Sequence, residues 1–122
     1  LKQRITIEQL HELTEEQRER LWEWWKPLEG DVFIIKGTPN SFLQNYIGTF
    51  SADSLKNFRE KPRGYMPLLS IGQMIELIDN DYMLTRFRQF KAIVTIQLGE
   101  ETIQHCEDEL CDALWKVVKK VI

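Results

Sequence analysis

The chain has 122 residues, 43% of them hydrophobic and 29% charged, with a formal net charge of −3. This is the composition of a folded chain forming one domain, 1–122, with a real core, and it excludes intrinsic disorder. No apolar run approaches the roughly 18 residues of a membrane span. Leu1-Lys2-Gln3-Arg4-Ile5 carries no apolar signal region behind its charges. The net acidity gives the molecule as a whole no attraction to nucleic acid or anionic lipid. A cytoplasmic protein is expected.

Two capping boxes open the chain, Thr6-Ile7-Glu8-Gln9 and Thr14-Glu15-Glu16-Gln17. They predict a short helix at about 7–13 and a longer one at about 15–26, or one helix kinked near Thr14. Ile7, Leu10, Leu13, Leu21 and Trp24 form an apolar stripe, with Glu8, Glu12, Glu16, Glu19 and Glu23 opposite. Pro27 stops the second helix. Three tryptophans crowd its end in Leu21-Trp22-Glu23-Trp24-Trp25-Lys26-Pro27. With about 100° per residue and Leu21 at zero, Trp24 and Trp25 fall within about 60° and 40° of the stripe, and Trp22 lies about 100° away, toward Arg18 and Glu15. Trp24 and Trp25 are therefore expected in the core. Trp22, with Arg18, is a candidate partner contact or a flank residue covered by the turn at 28–31.

Val32-Phe33-Ile34-Ile35 reads as a short interior strand, apolar on both faces. The stretch from Ser41 to Phe50 fits either a helix or a strand, and Ser54 to Glu60 one helical turn or two. Lys61-Pro62-Arg63-Gly64-Tyr65-Met66-Pro67 reads as a loop. Ser70-Ile71-Gly72-Gln73 caps a central helix with Ile71, Met74, Ile75 and Ile78 on one face, and Gly72 there suggests a close neighbour. Tyr82 to Phe90 and Ala92 to Leu98 are strands, the second alternating cleanly. A turn at Leu98-Gly99-Glu100-Glu101 leads into a return strand, Thr102 to Cys106. Glu107 to Val121 is a final helix with Leu110, Ala113, Leu114, Val117 and Val121 inward, acids at its start and lysines at its end. The order predicts an α+β fold: a mostly antiparallel sheet of three to four strands packed with N-terminal, central and C-terminal helices.

Chemistry is sparse. His11 and His105 are the only histidines. His105 and Cys106 are neighbours on a predicted strand, so they point to opposite faces and make a poor catalytic pair. Cys106 and Cys111 are too few for a disulfide framework and oddly spaced for a metal. Asp79-Asn80-Asp81 lacks the glycine and spaced glutamate of a calcium loop and reads as a helix-ending turn. No glycine-rich phosphate loop is present. Neither enzyme activity, a cofactor nor a metal is expected.

Two basic segments are candidates for nucleic-acid contact: Lys56, Arg59, Lys61 and Arg63 in the loop-rich middle, and Arg86, Arg88 and Lys91 around a strand. In that strand Arg86 and Arg88 share one face and Phe87 takes the other, as in a solvated face with a buried aromatic beneath. A base-stacking sheet sets aromatics and cations on one face. Contact with a protein is the better reading, a second copy paired through the final helix being one such partner.

Trp25-Lys26-Pro27-x-Glu29-Gly30-Asp31, Pro67-Leu68-Leu69-Ser70-Ile71-Gly72-Gln73 and Glu109-Leu110-Cys111-Asp112-Ala113-Leu114-Trp115 resemble small uncharacterised proteins encoded in prophages of Gram-positive bacteria. The resemblance covers both ends and the 67–78 region and leaves about 36–66 unmatched. It carries no activity or site residue over. It implies a bacterial cytoplasm and a phage-linked accessory role.

Overall fold

A computed structural model describes residues 2–36, 45–56, 64–80 and 82–122. Among these described residues eleven elements follow in order: α1 (Ile7–Leu10), α2 (Glu15–Trp24), β1 (Val32–Lys36), β2 (Asn45–Thr49), α3 (Ala52–Lys56), β3 (Tyr65–Pro67), α4 (Ile71–Ile78), β4 (Leu84–Arg88), β5 (Lys91–Leu98), β6 (Glu101–Glu107) and α5 (Leu110–Val121). The fold is α+β, with helices at the N-terminus, centre and C-terminus. Its strands form two antiparallel three-stranded sheets, β2-β1-β3 and β4-β5-β6. The chain divides into two compact units, Thr14–Leu68 and Leu1–Leu13 with Leu69–Ile122.

In the Thr14–Leu68 unit, both halves of the predicted capping box form at Thr14 and Gln17. The helix ends at Trp24, ahead of Pro27, which has no N–H to offer and pushes its predecessor away from helical angles. Trp25 takes an extended conformation as C-cap and is 1% exposed. Its indole Nε1 donates to Asp31 Oδ2 at 3.0 Å, and the Leu28 amide donates to the same oxygen at 3.0 Å. Gly30, at φ +89°, provides the positive-φ position of this turn. β1 is the central strand, and adjacent Phe33 and Ile34 are both buried, one on each face. Phe33 packs on Phe50 with ring centroids 4.4 Å apart and stacks on Tyr65 at 5.0 Å. Trp24, Ile35 and Leu55 close around this cluster.

The ambiguous middle resolves in part. Asn45–Thr49 is a strand on β1, and α3 is a single short helix beginning at Ala52. Phe42, Leu43 and Gln44, and the end of the Ser54–Glu60 segment, lie outside the described residues. The loop expected at 61–67 is corrected at its end: Tyr65–Pro67 pairs with β1 as β3. Pro67 is tolerated because it occupies the last position of an edge strand.

In the other unit, α1 is capped by Thr6 and Gln9 as predicted, but spans only Ile7–Leu10. The continuous stripe from Ile7 to Trp24 is therefore two separate helical faces. The segment before α1 runs beside the start of α4: the Ile5 amide donates to the Leu69 carbonyl at 3.0 Å, and the Ile71 amide donates to the Gln3 carbonyl at 3.1 Å. The Ser70 capping box is present. Gly72 has no close neighbour; an added Cβ would meet only Ser70 Oγ at 3.9 Å. Asp79 ends α4 with φ at +41°, and Asn80 Oδ1 accepts from the Tyr82 amide at 2.9 Å, so Asp79 and Asn80 end the helix as expected, while Asp81 lies outside the described residues.

β5 alternates as predicted, with Ala92, Val94 and Ile96 buried. α5 packs over β5, β6 and α4. It buries Cys111, Ala113, Leu114, Trp115, Val117 and Val118, a wider arc than expected, with Leu110 and Val121 only half-buried. Its exposed residues include Lys116 and Lys120. The apolar face that a two-fold pairing of final helices would use is occupied internally.

Candidate functional site

Two surfaces gather the sequence-predicted residues, one in each unit. In the Thr14–Leu68 unit, Glu15, Arg18, Glu19 and Trp22 on α2 face Gly64, Tyr65 and Met66 across an open cleft of about 290 Å³. Arg18 and Trp22 are one turn apart, so the helix sets them on one side, with Glu15 and Glu19 alongside. Trp22 is half-buried. Tyr65 forms part of the cleft while stacking on Phe33, so the cleft has a fixed wall. The volume is at the lower limit of small-molecule pockets. The pairing of Arg18 with Trp22 was legible from helical spacing. The contribution of Tyr65 and Met66 was not, because it requires β3.

The second surface is the β4–β5 hairpin. Register places Phe87 opposite Ala92, Thr85 opposite Val94, Arg86 opposite Ile93 and Arg88 opposite Lys91. Directly opposed residues share a face. Phe87 and Thr85 therefore lie on the face that α5 covers farther along, while Arg86, Arg88 and Lys91 lie on the outer face. All five residues of β4 are exposed. This corrects the expected burial of Phe87, which is 68% exposed. The cause is lateral: α5 sits over β5 and β6, and β4 is an edge beyond that cover.

Phe90 is 100% exposed at the hairpin tip, and Leu84 is 54% exposed. Tyr82 is exposed as well. Sequence reasoning missed this apolar edge because period-two alternation says which face a residue takes, not whether anything covers that face. Arg86 and Arg88 make no ion pair among the described residues, whereas Lys91 Nζ approaches Asp108 Oδ1 at 3.5 Å. Residues 82–99 contain no carboxylate. Of the other basic candidates, Lys56 is exposed at the end of α3, and Arg59, Lys61 and Arg63 lie outside the described residues.

The remaining reactive groups are not gathered. His11 is exposed on α1's C-cap. His105 points to the α5 side of β6 while Cys106 points outward and is exposed. His105 Nε2 is buried without a hydrogen-bond partner among the described residues. Desolvation lowers its pKa, and Lys116 and Lys120 lower it further. Cys111 is buried in α5, and that burial pushes its thiol up to about 11. Among the described residues no cluster of three or more His, Cys, Asp or Glu side chains is placed to hold a metal, and no helix is long and apolar enough to cross a membrane. Comparison with protein-family models, curated proteins and solved structures finds no match to this chain.

Proposed function

We propose that this chain is a non-enzymatic, phage-linked accessory protein that acts in the bacterial cytoplasm by protein–protein contact, with the β4–β5 hairpin as its principal contact surface. The observation that carries the reading is an open sheet edge with three large apolar side chains, Leu84, Phe87 and Phe90, all more than half exposed. Such an edge offers unpaired backbone groups and uncovered apolar surface together, which folded proteins ordinarily avoid. The phage link rests on the resemblance of the Trp25–Asp31, Pro67–Gln73 and Glu109–Trp115 phrases. The α2 cleft around Trp22 and Arg18 is a second, smaller contact.

Site-specific photo-crosslinking tests this. A benzophenone amino acid replaces Phe87 in one variant and Trp22 in another, and each is irradiated in the host. Discrete protein adducts at Phe87 are expected. Absence of protein adducts at both positions refutes the reading.

Nucleic-acid binding is the second reading, favoured by the exposed Arg86 and Arg88 and the acid-free stretch around them. It is weaker because Phe87 and the arginines occupy opposite faces, so no single face supplies both stacking and phosphate contacts. A gel shift at low salt that disappears with added salt would favour it over protein contact.

A further inference from the structure

The geometry of β4 specifies more than a sticky edge. Gln89 and Phe90 both have positive φ, 51° and 66°, and link paired Arg88 and Lys91, which is a two-residue type I′ hairpin. In such a hairpin the closing pair is hydrogen-bonded, and the pairs then alternate. Leu84, Arg86 and Arg88 therefore direct their backbone groups toward β5. Thr85 and Phe87 direct theirs outward, to the open edge. An incoming strand would pair with these two residues, and its side chains opposite Arg86 and Arg88 would lie on the outer face.

A second copy of the chain offers these two arginines no acidic partner. Two β4 strands related by a two-fold axis through Arg86 set Arg86 against Arg86 of the second copy. Centring the axis on Phe87 sets Arg86 against Arg88. Like charges directly opposed across strands are destabilising, and the remaining register, centred on Thr85, sets Arg86 against Leu84 and gives it no carboxylate. β6, the other edge, presents Thr102, Gln104 and Cys106 on the outer face and supplies no carboxylate there. What does fit is a strand with carboxylates opposite the two arginines and an apolar residue beside Phe87.

We propose that β4 binds an extended segment of another protein by strand addition, and that this segment alternates acidic and apolar residues. The outward amides and carbonyls of Thr85 and Phe87 give affinity, Arg86 and Arg88 select the acids, and the apolar residue covers Phe87. This rests on the protein-contact reading and names the partner's chemistry.

The test uses the full chain and a fluorescein-labelled peptide of about seven residues alternating glutamate and valine, long enough to span β4. Saturable binding by fluorescence anisotropy is expected, with slowed amide exchange at Thr85 and Phe87. R86E/R88E is expected to weaken it by at least about tenfold and to favour the lysine–valine peptide instead. T85P removes an outward N–H without touching the β4–β5 bonds and is expected to abolish binding. Methylation of alternate amides in the peptide, which leaves the protein unaltered, is expected to do the same. Equal binding of the glutamate and lysine peptides overturns the proposal, as does full binding by the N-methylated peptide. Displacement of the acidic peptide by a short oligonucleotide at physiological salt overturns it in favour of nucleic acid. Protein adducts at Phe87 without peptide binding would refute the acidic strand alone. Failure of both measurements removes the protein-contact reading as well.

Discussion

Phe87 and Ala92 face each other across the β4–β5 ladder, yet Ala92 is 1% exposed and Phe87 68%. One strand spacing separates a core position from an uncovered one. Substitutions at the two sites should therefore diverge. F87T should change stability by no more than about 0.5 kcal/mol, since little of the ring is buried. A92L adds volume beneath α5 and should cost about 1 to 3 kcal/mol. Urea denaturation monitored by circular dichroism measures both. A large loss for F87T would mean that the β4 edge is covered.

The contrast also shows what the sequence carried. Capping boxes at Thr6, Thr14 and Ser70 were readable because each is a local contact between residues three apart. The alternation of Ala92, Val94 and Ile96 was readable for the same reason. Trp25 is in the core as expected, although it lies past the helix end at Trp24, where the about 100° step no longer applies, while Trp24, still helical, is only partly buried against the same cluster. Trp115 was not recognised as core. Its burial depends on an acceptor from the other end of the chain. β3 was hidden by Pro62 before it and by Pro67 at its own last position. Of the candidate contacts, Arg18 and Trp22 share a helix face and could be paired from sequence. The open β4 edge could not, because cover comes from α5, about twenty residues later.

Glu12 is the acceptor that Trp115 requires. Trp115 Nε1 donates to Glu12 Oε2 at 3.1 Å, and Lys119 Nζ donates to the same oxygen at 2.7 Å. E12Q keeps an acceptor for the indole and loses the charge attraction to Lys119, a half-exposed pair worth about 0.5 kcal/mol. E12A strips the acceptor from a buried indole and should cost about 1 to 2 kcal/mol. Denaturation midpoints in the order wild type, E12Q, E12A are expected. Equal loss in the two variants would assign the effect to charge alone.

Stability should fall with pH in two stages. The hydrogen bond from Lys119 holds the Glu12 pKa below the usual carboxylate range against the effect of burial, with Trp115 assisting. At Asp112 burial pushes upward, but hydrogen bonds from Lys2 and Gln9 bring the net shift down. Depressed carboxylate pKa values contribute stability above the unfolded value, about 4, and that contribution disappears as pH falls through the folded value. The depressed pKa of His105 works in the same direction from a higher starting point. Its neutral form is the folded one, so stability declines as pH drops below about 6.5. Lys116, Lys119 and Lys120 disfavour the imidazolium and Glu107 favours it. H105Q should flatten melting temperature between about pH 7 and 5 and leave the acid stage in place. An unaltered upper stage in H105Q would rule out His105 as its source.

The two cysteines should react at very different rates. Cys106 is exposed on the outer face of β6, and Cys111 is buried with its pKa raised to about 11. A thiol-specific disulfide reagent at neutral pH should modify a single cysteine in the native chain and the second only after denaturation. Mass spectrometry should place the first adduct on Cys106. Rapid native modification of Cys111 would mean that α5 opens readily from the sheet.

The hairpin tip carries the last expectation. Gln89 and Phe90 both occupy the left-handed region, where residues with side chains are disfavoured and Phe90 gains no burial in return. Type I′ loops prefer asparagine followed by glycine. Q89N/F90G should therefore raise stability by about 1 kcal/mol and the melting temperature by about 4 °C. If the tip is retained for contact, the same variant should bind its partner less well, because Phe90 supplies apolar surface next to the pairing edge. Thermal melts and crosslinking yield at Phe87, read on the same double variant, separate the two effects. Higher stability with undiminished crosslinking would leave Phe90 without a contact role. Higher stability with reduced crosslinking would make the strained turn part of the binding surface.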